Sequence, residues 1–341
     1  MTVIIGIDPH KAIHAVCAID DKETELARLR VRSGKRQAVQ LLGWAQGFEQ
    51  RVWAIESAGG LGYLLGQQLV GAGENVVDVP ATLSSRVRVL ATGRSNKNDP
   101  NDAYAVAIAA LRAPALAAVR SEDHVSVLRM LAKAHLDTSR AKNRAACRLH
   151  AIVADLVAGG IGNEVVVSQA ETLLASVEAS SVVQRQRLEL ASEALADVRR
   201  LDMQLKTSKR RLEVAVAASG TTLVDIFGVG PVIAAMLIGY SGDIRRFPTA
   251  GHYAAYNGTA PIELSSGGRT VHRLSRRGNR TLNHAIHLAT VTQIRHRDSE
   301  GRVYYDAKIA AGKTKREALR ALKRRVSDRV YQRMIADARS R

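Results

Sequence analysis

The chain reads as an α/β domain built on a mixed sheet, followed by a helical, coiled-coil-like middle and a mostly helical C-terminal part. Three observations predict this. Residues 2–112 give three successive β-type runs and then alternate helix with strand. From about residue 125 to 216 the aliphatic residues recur at spacings of three, four and seven, the period of an amphipathic helix. After Ser219-Gly220 an apolar helix opens directly behind two closely spaced glycines.

Residues 2–8, 12–19 and 24–32 are predicted as strands, with Asp20-Asp21-Lys22-Glu23 as the polar turn between the second and third. Residues 38–48 are predicted helical, with Val39, Leu41, Leu42 and Ala45 on one side. Residues 51–56 form a fourth strand, and Gly59-Gly60 breaks the chain after it. Residues 61–70 are a helix, and 74–79 a fifth strand that ends at Pro80. Helices follow over 81–91 and 102–112. Three strands and then alternation is the element order of the ribonuclease H-like fold.

In the middle, Leu128, Leu131, Leu136, Leu149, Ile152 and Leu156 stand among Arg and Lys. Gly159-Gly160-Ile161-Gly162 interrupts the pattern. Residues 184–216 resume it with Leu188, Leu195, Val198, Leu201, Leu205 and Leu212. A long helical hairpin or coiled-coil arm is expected, a device that also joins copies of a chain. The expected domains are 1–120, 121–218 and 219–341.

A length of 341 residues suits roughly two domains of ordinary size. Hydrophobic residues make up 46%, enough for packed cores. Lys and Arg total 50 against 32 Asp and Glu, a formal charge of +18. Such a surplus repels itself unless a polyanion is the usual partner. Nucleic acid is the first candidate and an anionic membrane the second. The membrane reading is weakened because no apolar run approaches about 20 residues and no signal peptide is visible. Cys17 and Cys147 form no CxxC, which argues against a disulfide framework or zinc ribbon and for a cytoplasmic protein with reduced thiols. An aromatic content of 4% argues against a surface that stacks single-stranded bases on many rings.

Four acids carry most of the functional information. Asp8 ends the apolar run Val3-Ile4-Ile5-Gly6-Ile7, and Glu56 ends Val52-Trp53-Ala54-Ile55. Asp99 and Asp102 stand three apart at the start of a helix, a spacing that shares one face. A carboxylate at the end of a buried strand is costly unless a cation compensates it. Acids from three converging segments point to a divalent metal, and hard oxygen donors suit Mg²⁺ or Mn²⁺.

Two further stretches point to nucleic acid. Ile226-Phe227-Gly228-Val229-Gly230-Pro231 ahead of an apolar helix is a helix-hairpin-helix signature. Gly228 and Gly230 permit a tight turn whose backbone N–H groups can bind phosphate. The chain from Arg269 onward is dense in cations, including Arg276, Arg277 and Arg280, then Arg320, Lys323, Arg324 and Arg325. Ser265-Ser266-Gly267-Gly268 reads on its own as a flexible turn, since no base able to activate a serine is identifiable nearby. The absence of a GxSxG elbow argues against acyl hydrolysis.

Taken together, five motifs resemble the insertion sequence 110 family of transposases. They are Gly6-Ile7-Asp8-Pro9-His10-Lys11, Ile55-Glu56-Ser57-Ala58-Gly59, Lys97-Asn98-Asp99-Pro100-Asn101-Asp102-Ala103, Phe227-Gly228-Val229-Gly230-Pro231, and Tyr256-Asn257-Gly258-Thr259-Ala260-Pro261 with Ser265-Ser266-Gly267-Gly268 and Arg277-Gly278-Asn279. The resemblance implies an N-terminal RuvC-like domain whose D-E-D-D tetrad, matched by Asp8, Glu56, Asp99 and Asp102, holds Mg²⁺. It implies a C-terminal transposase domain with a nucleophilic serine, matched by Ser266 with Ser265 as the fallback. It further implies strand cleavage and rejoining through a phosphoserine on donor and target DNA, an element-encoded bridge RNA pairing with both, and action as a multimer, a dimer or tetramer, at the bacterial nucleoid. Tetrad and serine are far apart in sequence, so they meet within one chain or between chains. Two other readings compete: a RuvC-like nuclease that uses water as nucleophile, and a non-enzymatic scaffold in which the carboxylates are structural.

Overall fold

The structure is a computed structural model that describes residues 2–92, 99–113, 115–162, 165–266, 269–274 and 278–340. The side chains of 90–92, 99–100, 262–266 and 269–274 lie outside the description. The chain divides into two compact units, Met1–Glu122 and Asp123–Arg341.

In the first unit, β1 (Val3–Asp8), β2 (Ile13–Ile19), β3 (Glu25–Arg32), β4 (Arg51–Glu56), β5 (Val76–Val79) and β6 (Ala117–Ala118) make one sheet in the order β3-β2-β1-β4-β5-β6. β1, β4 and β5 run parallel, while β2 is antiparallel to both its neighbours and β6 to β5. This is the mixed sheet of a ribonuclease H-like fold, as the element order predicts. Among the described residues, four α-helices accompany it: α1 (Gln37–Trp44), α2 (Tyr63–Gly71), α3 (Ala81–Thr92) and α4 (Asp99–Arg112).

Every residue of β1 is buried, because the strand is covered on both faces. Ile5 and Ile7 pack with Leu41, Trp53, Leu65 and Leu69 on one side. Ile4 packs with Cys17, Ala103, Val106 and Ala107 on the other. The central strands therefore read as continuous apolar runs, with any charge confined to their ends.

In the second unit, α5 (His124–Ala154) and α7 (Val182–Ala218) form a long antiparallel hairpin. Its register is visible in paired contacts. His135 meets Ser208 at 3.1 Å, Lys142 meets Asp202 at 2.6 Å, and Leu149 and Val153 pack with Ala191, Ala194 and Leu195. The heptad-like pattern is thus satisfied within the chain. Between the two lies α6 (Val167–Ala175), whose Ala170 and Leu174 join the same core. The local sequence pattern does not predict this helix, because its apolar partners lie on the distant helix α7.

The remainder is α8 (Pro231–Ser241), α9 (Ala250–Asn257), the strands β7 (Pro261–Ser266) and β8 (Arg269–Leu274), then α10 (Arg280–Arg295), α11 (Glu300–Ala310) and α12 (Lys315–Arg339). One core joins Leu128 and Leu212 from the hairpin with α8, Ile286 of α10 and Leu322, Val326 and Val330 of α12. Among the described residues, no helix is long and apolar enough to cross a membrane.

Candidate metal centre and serine hairpin

The first site is assembled by a glycine. A Cβ on Gly6 would lie 2.2 Å from the Ala103 carbonyl oxygen and 2.6 Å from the Ala107 nitrogen. Only glycine lets the backbone of α4 approach β1 this closely. The approach sets Asp102, at the start of α4, beside Asp8, at the end of β1. Glu56 arrives from β4, which pairs in parallel with β1 so that both strands end at the same edge.

Directly after Glu56 the chain turns sharply. Ser57 adopts a φ of 50°, a strained value for a residue with a side chain. The turn is held by Ser57 N–H donating to the Val79 carbonyl at 2.8 Å and Ala58 N–H to Asp78 Oδ1 at 2.7 Å.

Asp8 is 5% exposed and Asp102 6%. Burial first, then the charges of Glu56 and Asp102, push the Asp8 carboxyl up to about 6 against the opposing pull of His10. Three of the four expected acids therefore share one electrostatic environment. Asp99 opens α4 one turn before Asp102, and its side chain lies outside the described residues. His10 Nδ1 stands 3.5 Å from Asp8 Oδ2, Arg88 forms an ion pair with Asp102, and Ser84 donates to Glu56.

Ser84 and Arg88 did not emerge from the sequence. Their one available signal is a spacing of four on α3, which puts both on one face. The donor chemistry is three hard carboxylates sharing one charge environment, which fits Mg²⁺ or Mn²⁺. Among the described residues, no three His, Cys, Asp or Glu side chains stand together closely enough to hold a metal ion, and the Asp99 side chain is not among them. The acids are instead bonded to Arg88, Ser84 and His10.

Ser265 and Ser266 lie in β7, which pairs antiparallel with β8 so that Ser265 faces Thr270 and Ser266 faces Arg269. The two-serine stretch is therefore part of a β-hairpin, where the sequence suggested a flexible turn. Two six-residue strands flanking Gly267-Gly268 were the overlooked signal. The side chains of Ser265, Ser266 and Arg269 lie outside the description, and Arg276 and Arg277 lie outside the described residues altogether.

The foot of this hairpin is firmly built. Gly258 ends α9 with a φ of 73°. A Cβ on Gly278 would lie 2.5 Å from the Gly258 nitrogen, so the chain leaving the hairpin crosses directly over the chain entering it. Asn279 donates its N–H to the Tyr256 carbonyl at 2.7 Å and caps α10 through Thr281 and Leu282. Asn283 donates to the Asn257 and Gly258 carbonyls at 3.0 and 3.2 Å. The motif residues Tyr256, Asn257, Gly258, Gly278 and Asn279 thus form the platform on which the serines stand.

The two glycines of the other expected contact have different surroundings. Gly228 has a φ of 85°, and a Cβ there would lie 2.7 Å from the Ala289 carbonyl oxygen of α10. Its lack of a side chain serves packing. Gly230 precedes Pro231 at the start of α8, and nothing lies within 4 Å of its Cβ position. The element ahead of this turn is a short 3-10 turn, Leu223–Asp225.

The comparisons with known proteins point in one direction. The IS110-type DEDD transposase model, described as Transposase, matches residues 5–157. The model described as Transposase IS116/IS110/IS902 family matches residues 220–306. The insertion element IS116 44.8 kDa protein of Streptomyces clavuligerus is 25% identical over 98% of this chain and 95% of its own length. The insertion element IS900 42 kDa protein of Mycobacterium paratuberculosis is 26% identical over 94% of this chain and 92% of its own. The insertion element IS110 43.6 kDa protein of Streptomyces coelicolor reaches 41% identity over 30% of this chain and 25% of its own. Among solved structures, Thermus thermophilus RuvC with a Holliday junction substrate aligns at 15% identity and a TM-score of 0.29, covering 35% of this chain and 100% of that one. With both family models matched in order, one over the carboxylate unit and one over the serine hairpin, the chain belongs to the IS110 family of transposases, enzymes that cut and rejoin DNA.

Proposed function

We propose that this transposase cleaves DNA with Ser266 as nucleophile and with Mg²⁺, or Mn²⁺, held by Asp8, Glu56, Asp99 and Asp102. The observation that carries the proposal is the gathering of Asp8, Glu56 and Asp102 from three elements, at a visible cost in carboxylate desolvation. Structural carboxylates gain nothing from such an arrangement, which argues against a scaffold. A divalent ion held by these carboxylates would supply electrostatic stabilisation of the charge that develops on the reacting phosphate. Ser266 Oγ forms a bond to the phosphorus while the bond from phosphorus to the leaving sugar oxygen breaks. The serine releases its proton, and the leaving oxygen takes one up. The phosphoserine conserves the bond, so attack by a second strand's hydroxyl rejoins DNA without an external energy source.

By family resemblance, the reaction joins donor and target DNA under an element-encoded RNA and within a dimer or tetramer. Arg269, Arg276 and Arg277 contact the phosphate backbone, as do the backbone groups around Gly228 and Gly230. The metal site is tested by Asp102→Ala. That variant should fold and bind DNA but lose strand exchange by at least a thousandfold. Recombination at the wild-type rate would remove the tetrad assignment.

A further inference from the structure

The basic C-terminal segment is not uniform. On α12, Arg324 is paired with Asp328 at 3.0 Å and Arg329 with Glu300 at 2.6 Å. Lys323, one residue before Arg324, is treated differently. It is half-buried, and its Nζ donates to the neutral amide oxygen of Asn283 at 2.7 Å. The charges acting on it are those of Arg280 and Arg320. His287 is in turn acted on by Lys323 and His284. Among the described residues, no carboxylate is among the groups that act on Lys323 or His287; Arg320 alone has one nearby, Glu317 on its own helix.

Arg280, His284 and His287 follow one another at spacings of four and three along α10, and so form one stripe. Arg320 and Lys323 are three apart on α12. The stripes meet at Asn283, which also bonds the Asn257 and Gly258 carbonyls at the foot of the serine hairpin.

Gathering cations around a half-buried lysine without a carboxylate opposes folding. Burial, with Arg280 and Arg320, lowers the Lys323 pKa to about 8. An anion with several acceptor oxygens relieves the repulsion and satisfies the donors together, and a phosphodiester is such an anion. We propose that Arg280, His284, His287, Arg320 and Lys323 form a seat for one backbone phosphate of the DNA strand at the foot of the serine hairpin. The seat rests on the DNA-processing role of the family and is independent of which serine attacks.

The test uses the full chain with chelator present, so that cleavage is suppressed, and measures affinity for labelled duplex DNA across a salt series. Lys323→Gln should weaken binding roughly tenfold and lower the slope of log affinity against log salt by about 0.9, the signature of one lost phosphate contact. Lys323→Arg should keep the slope, and so should Arg324→Gln, which removes a charge that Asp328 already neutralises. The melting temperature of free Lys323→Gln should equal or exceed that of the wild type. Three results would each overturn the seat: a folded Lys323→Gln with wild-type affinity and slope, an equal loss in Arg324→Gln, or a loss confined to RNA. A wild type without affinity for DNA would contradict the DNA-processing role itself. Inorganic phosphate then decides on the seat, which stands if phosphate raises the melting temperature of the wild type but not of Lys323→Gln, and falls if it raises neither.

Discussion

The two units of this chain gather like charges of opposite sign. In the first, Asp8, Glu56 and Asp102 meet at the ends of buried strands, and burial holds the Asp8 carboxyl up at about 6. In the second, Lys323 stands among Arg280 and Arg320, and burial holds its ammonium down at about 8. Other partly buried charges are paired within the fold, as in Arg51 with Glu74 at 2.5 Å or Lys142 with Asp202 at 2.6 Å. Where a charge serves only the fold it is given an opposite partner. Where like charges remain together, the fold answers them only in part, with Arg88 and His10 at the acids, and the rest is proposed to come from outside: a cation for the first site and a phosphate for the second.

The largest effect that would break this comparison is expected at Gly6. Gly6→Ala places a methyl group against the backbone of α4, which cannot rotate away, so β1 and α4 must separate. A loss of about 3 kcal/mol in the stability of the first unit is expected by urea denaturation. Strand exchange should fall with it, because Asp102 moves away from Asp8. A variant of wild-type stability would mean that the close approach is relaxed in solution.

Next is Asp8→Asn in chelated protein. The folded pKa of Asp8 is raised from 3.8 to about 6. Its relative stabilisation of the folded state is therefore fully present below pH 3.8 and lost as pH rises through about 6. Asp8→Asn should match the wild type near pH 4 and exceed it above pH 6, by up to about 3 kcal/mol. Adding Mg²⁺ should raise the melting temperature of the wild type and leave the variant unmoved. A variant less stable than the chelated wild type at pH 8 would show that the acids stabilise the fold, as in a scaffold.

At Lys323 the sign reverses. Its folded pKa lies below the ordinary lysine value of 10.5, at about 8. The penalty is present below pH 8, fades as pH rises towards 10.5, and is relieved by a bound phosphate. The advantage of Lys323→Gln over the wild type should therefore shrink between pH 8 and pH 10 in thermal melts. A constant difference would place its cause in packing. The smallest effect is expected at a neutralised pair: Lys142→Met should cost at most about 1 kcal/mol and leave DNA affinity unchanged.

Sequence reasoning found what the strands expose at their ends. Asp8 and Glu56 were legible because each terminates an apolar run, and Asp102 because of its spacing from Asp99. Gly6 was visible only as part of a motif; its role depends on where α4 lands, a tertiary fact. Ser84 and Arg88 were hidden because α3 carries other polar residues with no pattern to separate them. The serine hairpin was misread because Gly267-Gly268 suggested flexibility, while the alternating strands around it went unused. In the basic segment the sequence showed the charge but not its pairing. Lys323 and Arg324 are adjacent and alike in sequence, and only the fold gives one a carboxylate and denies it to the other.

The central claim is that a serine, with the carboxylate site, carries the DNA phosphate during the reaction. End-labelled DNA incubated with protein and Mg²⁺, denatured, and run with and without protease tests it most directly. A labelled protein–DNA adduct that protease collapses is the predicted result, absent in Ser266→Ala while that variant still binds DNA, and present in Ser265→Ala. DNA cut at the wild-type rate by Ser266→Ala, with no adduct in any lane, would contradict the account and assign the attack to water.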